Sequence, residues 1–116
     1  STVNMNRLLS LLGIARRAGK ISWGRDAVEE SLGKGKAHLV LVAEDISPKT
    51  TAGVRFSADR AGVPLLSIHE TIESVSQAIG KRAGIVAILD QGFAEKLKLL
   101  AQEAQSGNAE KGREIL

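Results

Sequence analysis

Two short, nearly unbroken apolar runs constrain this chain most. They are His38–Ala43 (His-Leu-Val-Leu-Val-Ala) and Ile85–Leu89. Both are strand-length and neither alternates with polar residues, so each reads as a strand with no solvent face. Such a strand must be covered on both sides. The covers are supplied by segments of helical period. Leu8, Leu11, Leu12, Ala15 and Ala18 recur at helical spacing, with Arg16 and Arg17 in the last turn and Gly19 as the stop. Lys20-Ile21-Ser22 reads as a short strand, followed by a helix that opens at Gly24 and carries Ala27, Val28, Ser31 and Leu32 on one face. Ser47 with Pro48 opens another helix, with Val54, Ala58 and Ala61 inward and Gly62 as its end. Val63–Ile68 reads as a strand; Pro64, which cannot donate to a ladder, places it at a sheet edge or puts its start there. Ile72, Val75, Ala78 and Ile79 mark a short helix ending at Gly80. Asp90 is placed to cap a last helix with Phe93, Leu97, Leu100 and Ala104 on one face. This rhythm predicts an α/β domain, a three-layer α/β/α sandwich.

The 116 residues fit one domain, and a chain of that size buries roughly two-thirds of its unfolded surface. Residues 1–104 are assigned to that domain and the polar 105–116 to a C-terminal extension or frayed tail. With no cysteine there is no disulfide framework or zinc ribbon. No apolar run approaches the roughly 18 residues of a membrane helix, and the N-terminus has no signal-peptide pattern. The expectation is a cytoplasmic, monomeric protein with no membrane partner. Charge is unevenly spread. Up to Lys36 the chain carries Arg7, Arg16, Arg17, Lys20, Arg25, Lys34 and Lys36 against Asp26, Glu29 and Glu30. A basic N-terminal third suggests a polyanion partner; a solvated surface is the competing reading.

The stretch Gly19–Gly35 concentrates the functional signal. A helix start at Gly24 leaves N–H groups directed outward, where an anion or a base edge could sit. Lys20, Arg25, Lys34 and Lys36 flank it, yet Asp26, Glu29 and Glu30 lie in its first turns. The turns Gly33-Lys34-Gly35-Lys36 and Gly80-Lys81-Arg82 match neither a P-loop nor a dinucleotide fingerprint, so no cofactor is expected. They read as phosphate-backbone contacts or as solvated turns. Trp23 is expected to pack half against the domain edge, with stacking on an extruded base as the sharper role. The only aromatics are Trp23, Phe56 and Phe93, too few for an interleaved stacking platform. Asp45 and Asp90 follow strands and could serve catalysis, but they read as helix caps or turn closers. His38 and His69 lack metal-ligand spacing and read as structural or surface residues.

Several pieces carry a family likeness: Ala-Arg-Arg-Ala-Gly-Lys20, Gly24, Leu39-Val-Leu-Val-Ala-Glu-Asp45, Ser47-Pro-Lys-Thr50, Gly62-Val-Pro and Asp90-Gln-Gly-Phe-Ala94. In this order and spacing, from Asn6 to about Ala104, the chain resembles the ribosomal protein L-seven-Ae family of kink-turn RNA binders, on its bacterial YlxQ-like branch. The resemblance implies a small mixed four-stranded sheet and a non-enzymatic protein. It also implies contact with a sharply bent RNA internal loop through the opening of the second helix and the loop before the last strand, here Gly80, Lys81, Arg82, Ala83 and Gly84. The family's helix opening reads Gly, any residue, Asn, Glu, two more residues, then Lys. This chain keeps Gly24 but has Asp26 for Asn, Ala27 for Glu and Glu30 for Lys. An ionised Asp only accepts where Asn also donates, acids satisfy the positive end of the helix dipole, and Glu30 reverses a charge facing RNA.

The expectation is a structured-RNA binder of weakened or altered specificity, contacting RNA through Lys20, Trp23, Gly24, Arg25, Asp26, Glu30, Lys34 and residues 80–84. A ribosome or another protein could share the surface. The rival is a protein-interaction module that kept the fold and lost kink-turn binding; an apolar patch at the helix opening would favour it. A small hydrolase would require Asp45 and Asp90 to converge.

Overall fold

The computed structural model describes the backbone of residues 2–115 and the side chains of residues 7–104. The order is α1 (Thr2–Arg17), β1 (Ile21–Trp23), α2 (Arg25–Gly33), β2 (Leu39–Ala43), α3 (Pro48–Ala61), β3 (Leu65–Ile68), α4 (Ile72–Ile79), β4 (Ile85–Ile88) and α5 (Gln91–Ile115). The backbone of α5 runs on as helix through residues 105–115, the segment expected to be an extension or frayed tail, whose side chains lie outside the described residues.

The strands form one mixed sheet in the order β1-β4-β2-β3. β1 and β2 flank β4 antiparallel, and β3 runs parallel to β2 at the edge. β2 and β4 are therefore the interior strands, and all their residues are buried, as their unbroken apolar composition requires. Edge strand β3 starts after Pro64, whose carbonyl accepts from the Val40 N–H at 3.0 Å while its own nitrogen is needed by no ladder.

Pleating divides the side chains into two cores. Leu39, Leu41, Val86 and Ile88 face α1, α4 and α5. Val40, Val42, Ile85 and Ala87 face α2 and α3. This is the expected three-layer sandwich. The helix faces differ from expectation at their margins: Ala18, Ala27, Ala61 and Ala104 are exposed. Alanine is too small to signal burial by itself, and the larger neighbours set each helix's rotation. In α2 that role falls to Val28 and Leu32, with Ser31 buried between them and bonded Oγ to Oγ with Ser22 of β1 at 2.9 Å.

Among the described residues, three helices have side-chain caps. Ser47 Oγ accepts from the Thr50 N–H (3.2 Å), Thr71 Oγ1 from Ser74 N–H (3.1 Å) and Asp90 Oδ2 from Phe93 N–H (2.9 Å). α2 has none: Gly24 stands at its N-cap without a side-chain bond.

Candidate nucleic-acid interface

The opening of α2 and the loop before β4 meet at one end of the sheet. Trp23 pairs with Val86 across β1 and β4, and one residue on the Gly24 N–H donates to the Ile85 carbonyl at 2.9 Å. Residues 80–84 lie directly before that carbonyl. Gly24 adopts φ 86°, ψ 152°, a region essentially closed to residues with a Cβ. A Cβ built there would meet nothing within 4 Å, so backbone conformation alone requires glycine. The first α-helical bond of α2 is Val28 N–H to the Gly24 carbonyl (3.0 Å). No side chain caps the N–H groups of Arg25, Asp26 and Ala27, which leaves an anion-ready helix start.

The 80–84 loop is held from within. Gly80 ends α4 in the left-handed region at φ 73°. Ser76 Oγ donates to the Ala83 carbonyl (3.1 Å) and accepts from the Ala83 N–H (3.0 Å), so one hydroxyl satisfies both backbone groups of a buried residue. The Gly84 carbonyl accepts from the Ala43 N–H at 2.8 Å. A Cβ on Gly84 would come within 2.7 Å of Ile72 Cγ1 and 2.9 Å of Ile46 Cδ1, so the loop base has no room for one. Lys81 and Arg82 are left exposed at the apex.

The charges divide in a way the sequence did not show. Arg25 donates from Nε to Glu29 Oε2 at 2.8 Å. Its guanidinium lies over Gly53 of α3, where a Cβ would stand 2.5 Å from Nη2. Lys34 Nζ donates to Glu30 Oε1 at 2.8 Å, and this bond, with the charge of Lys34, holds the Glu30 carboxyl below the usual range. Asp26 is exposed beside the helix start.

Lys20 and Lys34 are not at the helix opening. The Lys20 carbonyl accepts from the Leu89 N–H at 2.8 Å, and the His38 N–H donates to the Ile88 carbonyl at 2.8 Å. Both mark the far end of β4. Lys34 follows a nine-residue helix, about 13 Å long. The basic residues expected to flank the helix opening and to sit in the 80–84 loop thus fall in two patches at opposite ends: Arg25, Lys81 and Arg82 by the opening, and Lys20, Lys34 and Lys36 at the other end. Trp23 packs partly against the core, with the Arg16 guanidinium 4.8 Å from its ring centroid. That cation–π contact occupies one ring face.

The opening end also carries acid. Glu70, only 6% exposed, has its carboxyl pushed up by burial and by the Glu44 charge, with His69 opposing. His69 Nδ1 lies 4.0 Å from Glu44 Oε1. Asp45 caps α4, accepting from the Ile72 N–H at 2.8 Å, whereas Asp90 caps α5 at the far end. The two do not converge, and among the described residues no cluster of metal-ligating side chains occurs.

Sequence reasoning missed Ser76, Gly53 and the destination of Asp45. Gly53 alone left a signal, because a glycine inside a helical pattern marks a close approach. Ser76 and Ala83 are bonded across a loop whose path no local pattern encodes.

A mixed-sheet α/β/α sandwich with an uncapped second helix and a pinned basic loop at one sheet end defines the class. The chain matches the sequence model of the Ribosomal protein L7Ae/L30e/S12e/Gadd45 family over residues 6–98, and it belongs to that family. The RNA-binding protein YlxQ of Enterococcus faecium is 33% identical over 99 residues, which cover 85% of this chain and 95% of that one. The RNA-binding protein YlxQ of Bacillus subtilis (strain 168) is 40% identical over 88 residues, covering 75% and 87%. A solved structure of a protein of unknown function from Bacillus halodurans superposes with a TM-score of 0.79 at 28% identity, covering 83% of this chain and 97% of that one.

Proposed function

We propose that this chain binds structured RNA, of kink-turn type, at the sheet end where α2 opens, and that it works by recognition rather than catalysis. The observation that carries this reading is the Gly24 N–H bond to the Ile85 carbonyl (2.9 Å). It sets three uncapped N–H groups beside a loop whose apex is Lys81-Arg82. Helix N–H groups suit a phosphate or base edge, and the two apical cations supply backbone attraction. The family membership and the names of its YlxQ relatives support the same reading.

Specificity is altered in this account. Asp26 can accept from a base amino group but has no donor to offer. Glu30 is engaged with Lys34 and presents negative charge where the family's pattern has a lysine. The large hydrophobics that stand exposed among the described residues are Ile14, Phe56 and Leu99; none lies at the α2 opening, which favours RNA over a protein partner there. The test is a titration with a kink-turn RNA and with a straight duplex of the same length, at low and at physiological salt. The reading predicts tighter binding to the kinked RNA and a steep loss with salt. Equal affinity for the two RNAs defeats the kink-turn assignment, and no binding at low salt defeats RNA recognition altogether.

A further inference from the structure

The face opposite α2 and α3 bears a groove that the RNA reading does not use. α1 and α5 run antiparallel on it, because the Leu89 N–H bond to the Lys20 carbonyl joins the exit of α1 to the entry of α5. The groove between them has a volume of about 640 Å³. Leu11 and Leu100 are half-buried in it, while Ile14 and Leu99 are 45% and 55% exposed. Its charges are ordered. Lys96 stands at the end near Ile14, and Glu103, with Arg7 across from it, at the other. Residues 96, 99 and 103 fall on one stripe of α5, with Lys96 and Glu103 about 10 Å apart along the axis. The ion pairs among the described residues are Arg25–Glu29, Lys34–Glu30 and His69–Glu44, and none involves this stripe.

We propose that this groove is the contact between two copies of the chain, with α5 lying antiparallel against α5 of the second copy about a twofold axis near Leu99. A twofold contact brings one patch against itself in reverse. A stripe that is basic at one end, apolar in the middle and acidic at the other is complementary to itself under that rotation. Lys96 meets Glu103 of the second copy at both ends, Leu99 is covered in the centre, and Ile14 is covered beside each Lys96. Arg7 shares the end of Glu103 and offsets part of the attraction, so the apolar centre carries most of the association. A contact this short gives a weak, concentration-dependent dimer. α1 separates α5 from α4, so the dimer leaves the 80–84 loop and the α2 opening free on both copies. The expected monomer is then the dilute state.

Sedimentation equilibrium on the full chain tests this, with circular dichroism confirming that each variant is folded. Wild type should dimerise with rising concentration. Lys96→Glu and Glu103→Lys should each weaken the dimer about tenfold, by turning two attractive pairs repulsive. Mixing the two variants should recover it, since both cross pairs are then of opposite sign. Leu99→Asp should leave a monomer, whereas Phe56→Asp, outside the groove, should not. A wild-type monomer at millimolar chain, a dimer indifferent to the single reversals, or a mixture that fails to recover association overturns the proposal.

Discussion

Gly24 and Gly53 sit 29 positions apart on neighbouring helices, and the same substitution should act on them with opposite sign. At Gly24 the backbone is in a glycine-only region with open space around it. Gly24→Ala should therefore cost about 1–3 kcal/mol through strain alone and turn the α2 opening. At Gly53 the backbone is ordinary helix, and the obstruction is the far end of the flexible Arg25 side chain. Gly53→Ala should displace the guanidinium and gain about 0.5–1 kcal/mol of helix propensity. Urea midpoints for the two variants check this; shifts of the same sign contradict it. The frame residue Gly24 was legible in the sequence because a glycine before a helix with no Ser, Thr, Asn or Asp to cap it is a local signal. The fate of Lys20, Lys34 and Arg25 was not. Nearness along the chain placed them together, whereas strand and helix length carry Lys20 and Lys34 to the other end, and Glu29 with Gly53 fixes where Arg25 lies.

Elements were more legible than residues, because helix and strand periods, Pro48, Ser47, Asp90 and the terminal glycines are local features. Connections between elements were less so. Asp45 was read as a cap or turn closer, and it is a cap, but for α4, across 27 positions, since Ser47 already serves α3. Asp45→Ala should thus destabilise by about 1 kcal/mol, with hydrogen exchange quickening at Ile72 rather than at the start of α3. Faster exchange at Thr50 instead would show that the cap had been misplaced. The exposed alanines at the helix margins make a related point: a small apolar residue is compatible with either face, and only packing of the larger side chains decides.

At the scale of the molecule, the two unbroken apolar strands implied the three layers, and the structure has them. What composition could not show is the separation of charge into two ends, or that the end carrying the α2 opening includes a buried carboxylate. Glu70 is held protonated to higher pH in the folded chain than in the unfolded one. As pH rises from the ordinary glutamate value through the raised folded value, the unfolded state releases its proton first, so this group lowers stability with rising pH. Glu70→Gln should remove that decline and leave the protein more stable at neutral pH; thermal unfolding from pH 4 to pH 7 would reveal it. A variant less stable than wild type at pH 7 would mean that the Glu70 carboxylate is favourably engaged.

The two-ended distribution of charge also gives the central claim its sharpest test, the salt dependence of RNA affinity in two double variants. If RNA lies across the α2 opening and the 80–84 loop, Lys81→Ala with Arg82→Ala should lower the log–log salt slope by about 1.8, at roughly 0.9 per phosphate contact. Lys20→Ala with Lys34→Ala should leave the slope unchanged. A slope that falls only in the Lys20 and Lys34 variant would put the RNA at the opposite end and contradict the account.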